Sequence, residues 1–229
     1  MRYIHALVPV AALIGLAVGA FGYRATHRLP PAPPSLPVIG PGSIAYEKAV
    51  EAQVRRAAQL EGSLMFFGDS LTVGLATSKI ADNAENFGIN SDTILGLTRR
   101  IGSYNLEGQR AVNLEIGIND LRPLVPARFK DSYSQLLAKI PSSVPVVALS
   151  ITPTGPKSLP TNREVDLANG KIRLACQERA GCRYLDLNTR LKADGHLALR
   201  FDAGDGIHIS PAGSLIWATM LSDTLKKLP

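Results

Sequence analysis

Four residues of this 229-residue chain have the types and spacing for acyl chemistry: Ser70, Asn119, Asp205 and His208. A serine hydroxyl becomes a nucleophile only when a base takes its proton. The base in turn needs an acid to fix its tautomer, and the reaction needs donors for the oxyanion. Ser70 sits in Phe66-Phe67-Gly68-Asp69-Ser70-Leu71, an apolar run closed by a glycine. A serine there can be a nucleophile or the cap of a following helix, and the hexapeptide alone does not separate the two.

The base must come from four histidines, of which His5 and His27 lie in or beside an N-terminal apolar segment. His196, in Ala193-Asp194-Gly195-His196, reads as an exposed loop residue. His208, in Asp205-Gly206-Ile207-His208, has an acid three residues upstream that can turn back onto the ring, with Asp202 as a second candidate for that task. Such an acid would hold the proton on Nδ1 and leave Nε2 free to take the serine proton. Asn119, in Gly117-Ile118-Asn119-Asp120, follows an apolar run. An asparagine there is either a turn former or an oxyanion donor, the latter worth about 3 kcal/mol in the transition state.

Positioning these residues requires rigid elements that end beside one another. Short apolar runs at 63–67, 85–89, 111–116, 144–151 and 183–187 read as buried strands, alternating with helical patterns at 91–101, 127–140, 163–179 and 211–228. Alternation with short connections predicts a parallel sheet covered on both faces, with its sites in the loops at the carboxyl ends of the strands. A further helix is expected over 44–60, which is rich in Ala, Glu, Arg and Gln.

With 45% hydrophobic and 19% charged residues, the chain has the composition of a globular protein with one sizeable core. The net charge of +6 comes from scattered short pairs such as Arg55-Arg56 and Arg99-Arg100, which read as solvated surface and make nucleic-acid binding a poor expectation. Residues 4–22 carry no formal charge apart from the titratable His5, a length between a signal-peptide core and a membrane span. Either cleavage after Ala20 or retention as an anchor exports the remainder. Residues 29–43 are rich in Pro and Gly and predict an extended spacer. Cys176 and Cys182 are either a small disulfide-closed loop suited to an oxidising compartment or two thiols, and no histidine near them suggests a metal.

The blocks Gly68-Asp69-Ser70-Leu71, Asn86 to Thr93, Gly117-Ile118-Asn119-Asp120 and Asp205-Gly206-Ile207-His208, in that order, resemble the GDSL, or SGNH, hydrolase family. The resemblance implies a three-layer α/β/α sandwich with about five parallel strands, of flavodoxin-like type. It implies Ser70 as nucleophile, His208 as base, Asp205 as orienting acid, and an oxyanion hole from the Ser70 amide, the Asn119 side chain and a backbone amide of the second block. The family places a glycine at that last position, where this chain has Ser91; Gly88 is the substitute candidate. The G-x-S-x-G elbow of other serine hydrolases is not met, since Thr72 stands where its last glycine would be.

The expected organisation is a signal peptide or anchor over 1–28, a linker over 29–43, a leading helix over 44–62 and a hydrolase domain over 63–229. The expected activity is that of an exported serine esterase without metal or organic cofactor, acting on small-molecule, glycan or lipid esters. An O-acyltransferase with the same triad and a non-catalytic glycan-binding module are the rival expectations.

Overall fold

The computed structural model describes residues 40–121 and 127–228, so the expectations for the N-terminal segment and for the linker as far as residue 39 fall outside the described residues. Helix α1 (Ile44–Ala57) opens with Ser43 as its cap. The sheet strands follow as β1 (Leu64–Gly68), β2 (Ala84–Gly88), β3 (Ala111–Glu115), β4 (Val146–Leu149) and β5 (Cys182–Leu185). They are joined by α2 (Ser70–Val73), α3 (Ile94–Ile101), α4 (Phe129–Leu137) and α5 (Asn162–Gln177). After β5 come the one-turn α6 (Asn188–Leu191), a hairpin of β6 (Lys192–Ala193) and β7 (His196–Leu197), and α7 (Pro211–Leu225).

All five strands of the main sheet are parallel, in the order β2-β1-β3-β4-β5. The chain steps from β1 to β2 in one direction and then from β2 through β3 and β4 to β5 in the other. Right-handed crossovers therefore put α2 on one face and α3, α4 and α5 on the opposite face. Contacts of α4 with both α3 and α5 fit that layer. The expected three-layer α/β/α sandwich is the observed fold. The direction reverses between β1 and β3, and the loops that follow these two strands carry Ser70 and Asn119, as the switch-point rule predicts.

Strand β1 is buried along its whole length, as expected of a strand covered on both faces. Phe67, Phe87 and Tyr104 pack ring against ring, with centroids 4.9–5.3 Å apart. Two expected boundaries shift for clear reasons. The third helix begins at Ile94 rather than at residue 91, because Ser91 and Asp92 form a turn and Thr93 caps the helix through the Gly96 amide. Strand β4 is shorter than 144–151, because β5 offers partners only from Cys182 to Leu185. Cys176 at the end of α5 and Cys182 at the start of β5 are joined as a disulfide. Among the described residues no helix is long and apolar enough to cross a membrane.

Candidate active site

Gly68 ends β1 at a crowded point. A Cβ there would run into the Glu115 carbonyl and the Thr72 side chain, so the chain can turn here only without a side chain. Asp69 follows and is the cap of α2, its Oδ1 accepting from the Leu71 amide at 3.0 Å. The capping task therefore falls to Asp69, and Ser70, the first helical residue, keeps its hydroxyl for another partner. Ser70 Oγ lies 2.9 Å from His208 Nε2, bridging 138 positions of sequence.

His208 stands in the loop before α7. Its Nδ1 is 2.6 Å from Asp205 Oδ2, and Asp205 Oδ1 accepts from the amides of Ile207 and His208 at 2.9 and 2.8 Å. Since a carboxylate only accepts, the proton sits on Nδ1 and the Nε2 lone pair faces the serine. Desolvation pushes the Asp205 carboxyl up, but the hydrogen bonds from the His208 ring and the two amides outweigh it and hold the group down at about 2. Asp202 does not reach the ring. Its Oδ1 accepts from the amides of Gly204 and Gly206 at 2.7 and 2.9 Å, which braces the loop that carries Asp205.

The Asn119 amide nitrogen donates to the Asp92 carbonyl at 2.9 Å, tying the loop after β3 to the loop after β2 and leaving its second hydrogen for a ligand. Gly117 begins this turn at φ 127°, with Ile151 and Phe129 close to where a Cβ would stand. Ser91 adopts φ 60°, in the left-handed region that favours glycine. The serine here thus holds a backbone conformation that ordinarily favours glycine. The Gly88 amide is engaged by Asn86 Oδ1 at 2.9 Å, which leaves Ser91 as the stronger candidate donor of this loop.

The strained turn at Ser91 rests on a network that sequence reading missed. Asp92, fully buried, receives Arg100 Nε at 2.8 Å, the Tyr46 hydroxyl at 2.9 Å and the Thr93 amide at 2.8 Å. Arg100 also donates to the Phe87 carbonyl at 3.0 Å and to the Tyr104 hydroxyl at 2.9 Å. The expectation that Arg99-Arg100 is solvated surface holds for Arg99 only; Arg100 is 3% exposed. A clue was available in the helical period, which puts position 100 on the same face as the apolar Leu97 and Ile101.

Beneath Ser70 lie two buried carboxyls without a counter-charge. Burial pushes Asp69 up to about 7, helped by the nearby Asp92 and Asp120, and pushes Glu115 well above the usual carboxylate range, helped by Asp69. Both Glu115 oxygens and Asp69 Oδ2 have no hydrogen-bond partner among the described residues. A carboxyl in that setting is held neutral rather than charged. Burial likewise raises Asp120 to about 6, although its Oδ2 accepts from the Ile94 amide at 3.0 Å.

His196 differs from its expected place in an exposed loop. It belongs to the β6–β7 hairpin, is half-buried, and its Nδ1 is 3.0 Å from the Asn162 side-chain nitrogen. The hairpin is too short to leave a periodic signal in the sequence.

The sequence pattern of the GDSL-like Lipase/Acylhydrolase family matches residues 66–216. The chain belongs to that family. It is an ester hydrolase of the GDSL/SGNH type by that membership. No curated protein sequence matches it. Among solved structures it is similar to a Streptococcus pneumonia protein provisionally described as a platelet activating factor, with 19% identity and a TM-score of 0.70 over 78% of this chain and 92% of that one. A variant of an acetyl xylan esterase from Geobacillus stearothermophilus gives 20% identity and a TM-score of 0.58, over 72% of this chain and 96% of that one. The catalytic domain of a Streptococcus pneumoniae peptidoglycan O-acetyltransferase gives 16% identity and a TM-score of 0.57, over 74% and 97%. At these identities the three share the fold of this GDSL/SGNH hydrolase.

Proposed function

We propose that the protein is an exported serine esterase in which Ser70 is the nucleophile, His208 the base and Asp205 the orienting acid. The reading is carried by one observation, the unbroken chain from Ser70 Oγ to His208 Nε2 at 2.9 Å and from His208 Nδ1 to Asp205 Oδ2 at 2.6 Å. As Ser70 Oγ bonds to the ester carbonyl carbon, its proton passes to His208 Nε2 and the carbonyl electrons move onto oxygen. The Ser70 amide, the Ser91 amide and the Asn119 side chain receive that oxyanion. Collapse breaks the bond to the alcohol oxygen, which takes the proton from Nε2. Water then repeats the sequence on the acyl-enzyme and frees Ser70. Asp205 stabilises the imidazolium in each half without taking its proton.

Export is supported by the uncharged stretch of residues 4–22 and by the disulfide, which suits an oxidising compartment. O-acyl groups of envelope glycans or lipids are the substrates that location favours. Hydrolysis of p-nitrophenyl acetate by the full-length protein and by Ser70→Ala tests the site; equal rates in the two would sink it. Transfer of the acetyl group to an added sugar, seen in the products, would move the reading to an O-acyltransferase with the same residues. The mass of the mature protein distinguishes cleavage after Ala20 from retention of the segment.

A further inference from the structure

The side chains of Asp205 and His208 stand open to water, so packing does little to place them. Backbone contacts must do it. Among the described residues, the hydrogen bonds of residues 203–208 stay within 202–208 with two exceptions. One is the contact of His208 with Ser70; the other is the Gly155 amide, which donates to the Gly206 carbonyl at 2.7 Å. Gly155 also fits closely against that loop, since a Cβ on it would stand 3.0 Å from the Gly206 Cα.

Gly155 is in turn held from α5. Two asparagines of that helix, at 162 and 169 and so about two turns apart on one face, grip the connection that leads in from β4. Asn169 Oδ1 accepts from the Ile151 amide at 2.8 Å, and its Nδ2 donates to the Ile151 carbonyl at 3.0 Å. Asn162 repeats the grip on Thr154, accepting from its amide at 2.9 Å and donating to its carbonyl at 2.7 Å. Thr154 is buried, and its hydroxyl donates to the Pro160 carbonyl at 2.9 Å. Because the Thr154 backbone fixes which end of the Asn162 amide is which, the remaining Nδ2 hydrogen goes to His196 Nδ1 at 3.0 Å. Both amide hydrogens are then engaged, and none is left for a substrate.

We infer that Asn162 is a positioning residue of the reaction: through Thr154 and Gly155 it sets where the loop bearing Asp205 and His208 stands relative to Ser70. The inference rests on the triad reading above. Asp205 and His208 are bound to each other within one short loop, so their mutual geometry is local. Their distance from Ser70 is not. It spans 138 positions of sequence, and a loop free to drift would carry Nε2 out of reach of the serine hydroxyl while leaving the acid–base pair intact. The Asn162 grip fixes Thr154, and the next residue, Gly155, fixes the Gly206 carbonyl between the two catalytic side chains.

The test measures kcat and KM for p-nitrophenyl acetate in the full-length protein, with each change made in the wild type and again in His208→Ala. Asn162→Asp keeps the shape and the acceptor for the Thr154 amide, but sets a carboxylate oxygen against the Thr154 carbonyl, where a donor is needed. It should lower kcat by about ten- to a hundredfold and change KM less than about twofold, the cost of a displaced base. Gly155→Ala breaks no hydrogen bond; it presses on the Gly206 backbone and should lower kcat by about tenfold. In His208→Ala neither change should lower the residual rate further, because both act through a ring that is gone. A merely structural defect would lower both backgrounds alike. Unchanged kcat in Asn162→Asp, or an equal loss in the two backgrounds, overturns the inference. If circular dichroism shows Asn162→Asp unfolded, Gly155→Ala decides by the same two outcomes. Ser70→Ala separates the failures: wild-type rates in that variant end the triad reading and this inference with it, whereas its inactivity beside an unaffected Asn162→Asp ends the inference alone.

Discussion

Ser70, His208 and Asp205 meet in a solvent-open arrangement, with the side chains of His208 and Asp205 44% and 55% exposed. Geometry rather than burial must then carry catalysis, and the oxyanion donors should matter as much as the base. Asn119→Ala should lower kcat by about 10²–10³ with the fold intact, read from ester hydrolysis beside circular dichroism. Asp205→Asn keeps the space but allows the wrong tautomer, and a loss of about 10⁴ in kcat is the expected measure of that error. The four candidate residues could be picked out in the sequence because each sits in a short ordered block, and the structure brings Ser70 and Asp205 within hydrogen-bond reach of His208. The cap of α2 could not be, since Asp69 and Ser70 are adjacent and both cap helices well; only the 2.9 Å contact to His208 assigns them separate tasks.

At the scale of elements, the loops after β2 and β3 are held by parts that precede and follow them. Arg100→Leu would leave Asp92 buried without its partner. It should cost about 3–5 kcal/mol, measured by urea denaturation, with a fall in kcat as Ser91 loses its support. The five strands and the larger helices could be read from apolar runs and helical period, because burial on both faces writes itself into composition. Arg100 and Tyr46 could not be read as supports, because their partner Asp92 is near in space but 8 and 46 positions away in sequence. The β6–β7 hairpin, two residues to a strand, is too brief for any period to appear.

For the molecule as a whole, the buried carboxyls set the pH response. Asp69 at about 7, Asp120 at about 6 and Glu115 above its usual range all bind protons more tightly folded than unfolded. Stability therefore falls as pH rises from about 4 through 7, the window between their ordinary and folded values. Asp205, held at about 2, works in the opposite sense: its contribution is present above about pH 4 and is lost as pH falls toward 2. Urea midpoints should decline from about pH 4.5 to 7.5, and Asp69→Asn, which keeps the capping oxygen, should flatten that decline. The Cys176–Cys182 bond closes a loop with a sequence separation of six, so Cys176→Ser with Cys182→Ser should cost about 2 kcal/mol by thermal or urea unfolding.

Tyr46 and Gln53 lie on α1, well before residue 66, where the family pattern begins. Yet the Tyr46 hydroxyl holds Asp92, and the Gln53 side chain reaches the Gly88 carbonyl at 3.1 Å and the Tyr104 hydroxyl at 2.7 Å. The inherited domain and the working machine therefore have different edges. A sequence cut at the homology boundary would keep Ser70, Ser91, Asn119, Asp205 and His208 and lose a support of the loop that carries Ser91. Descent and load are carried by overlapping but unequal lengths of this chain.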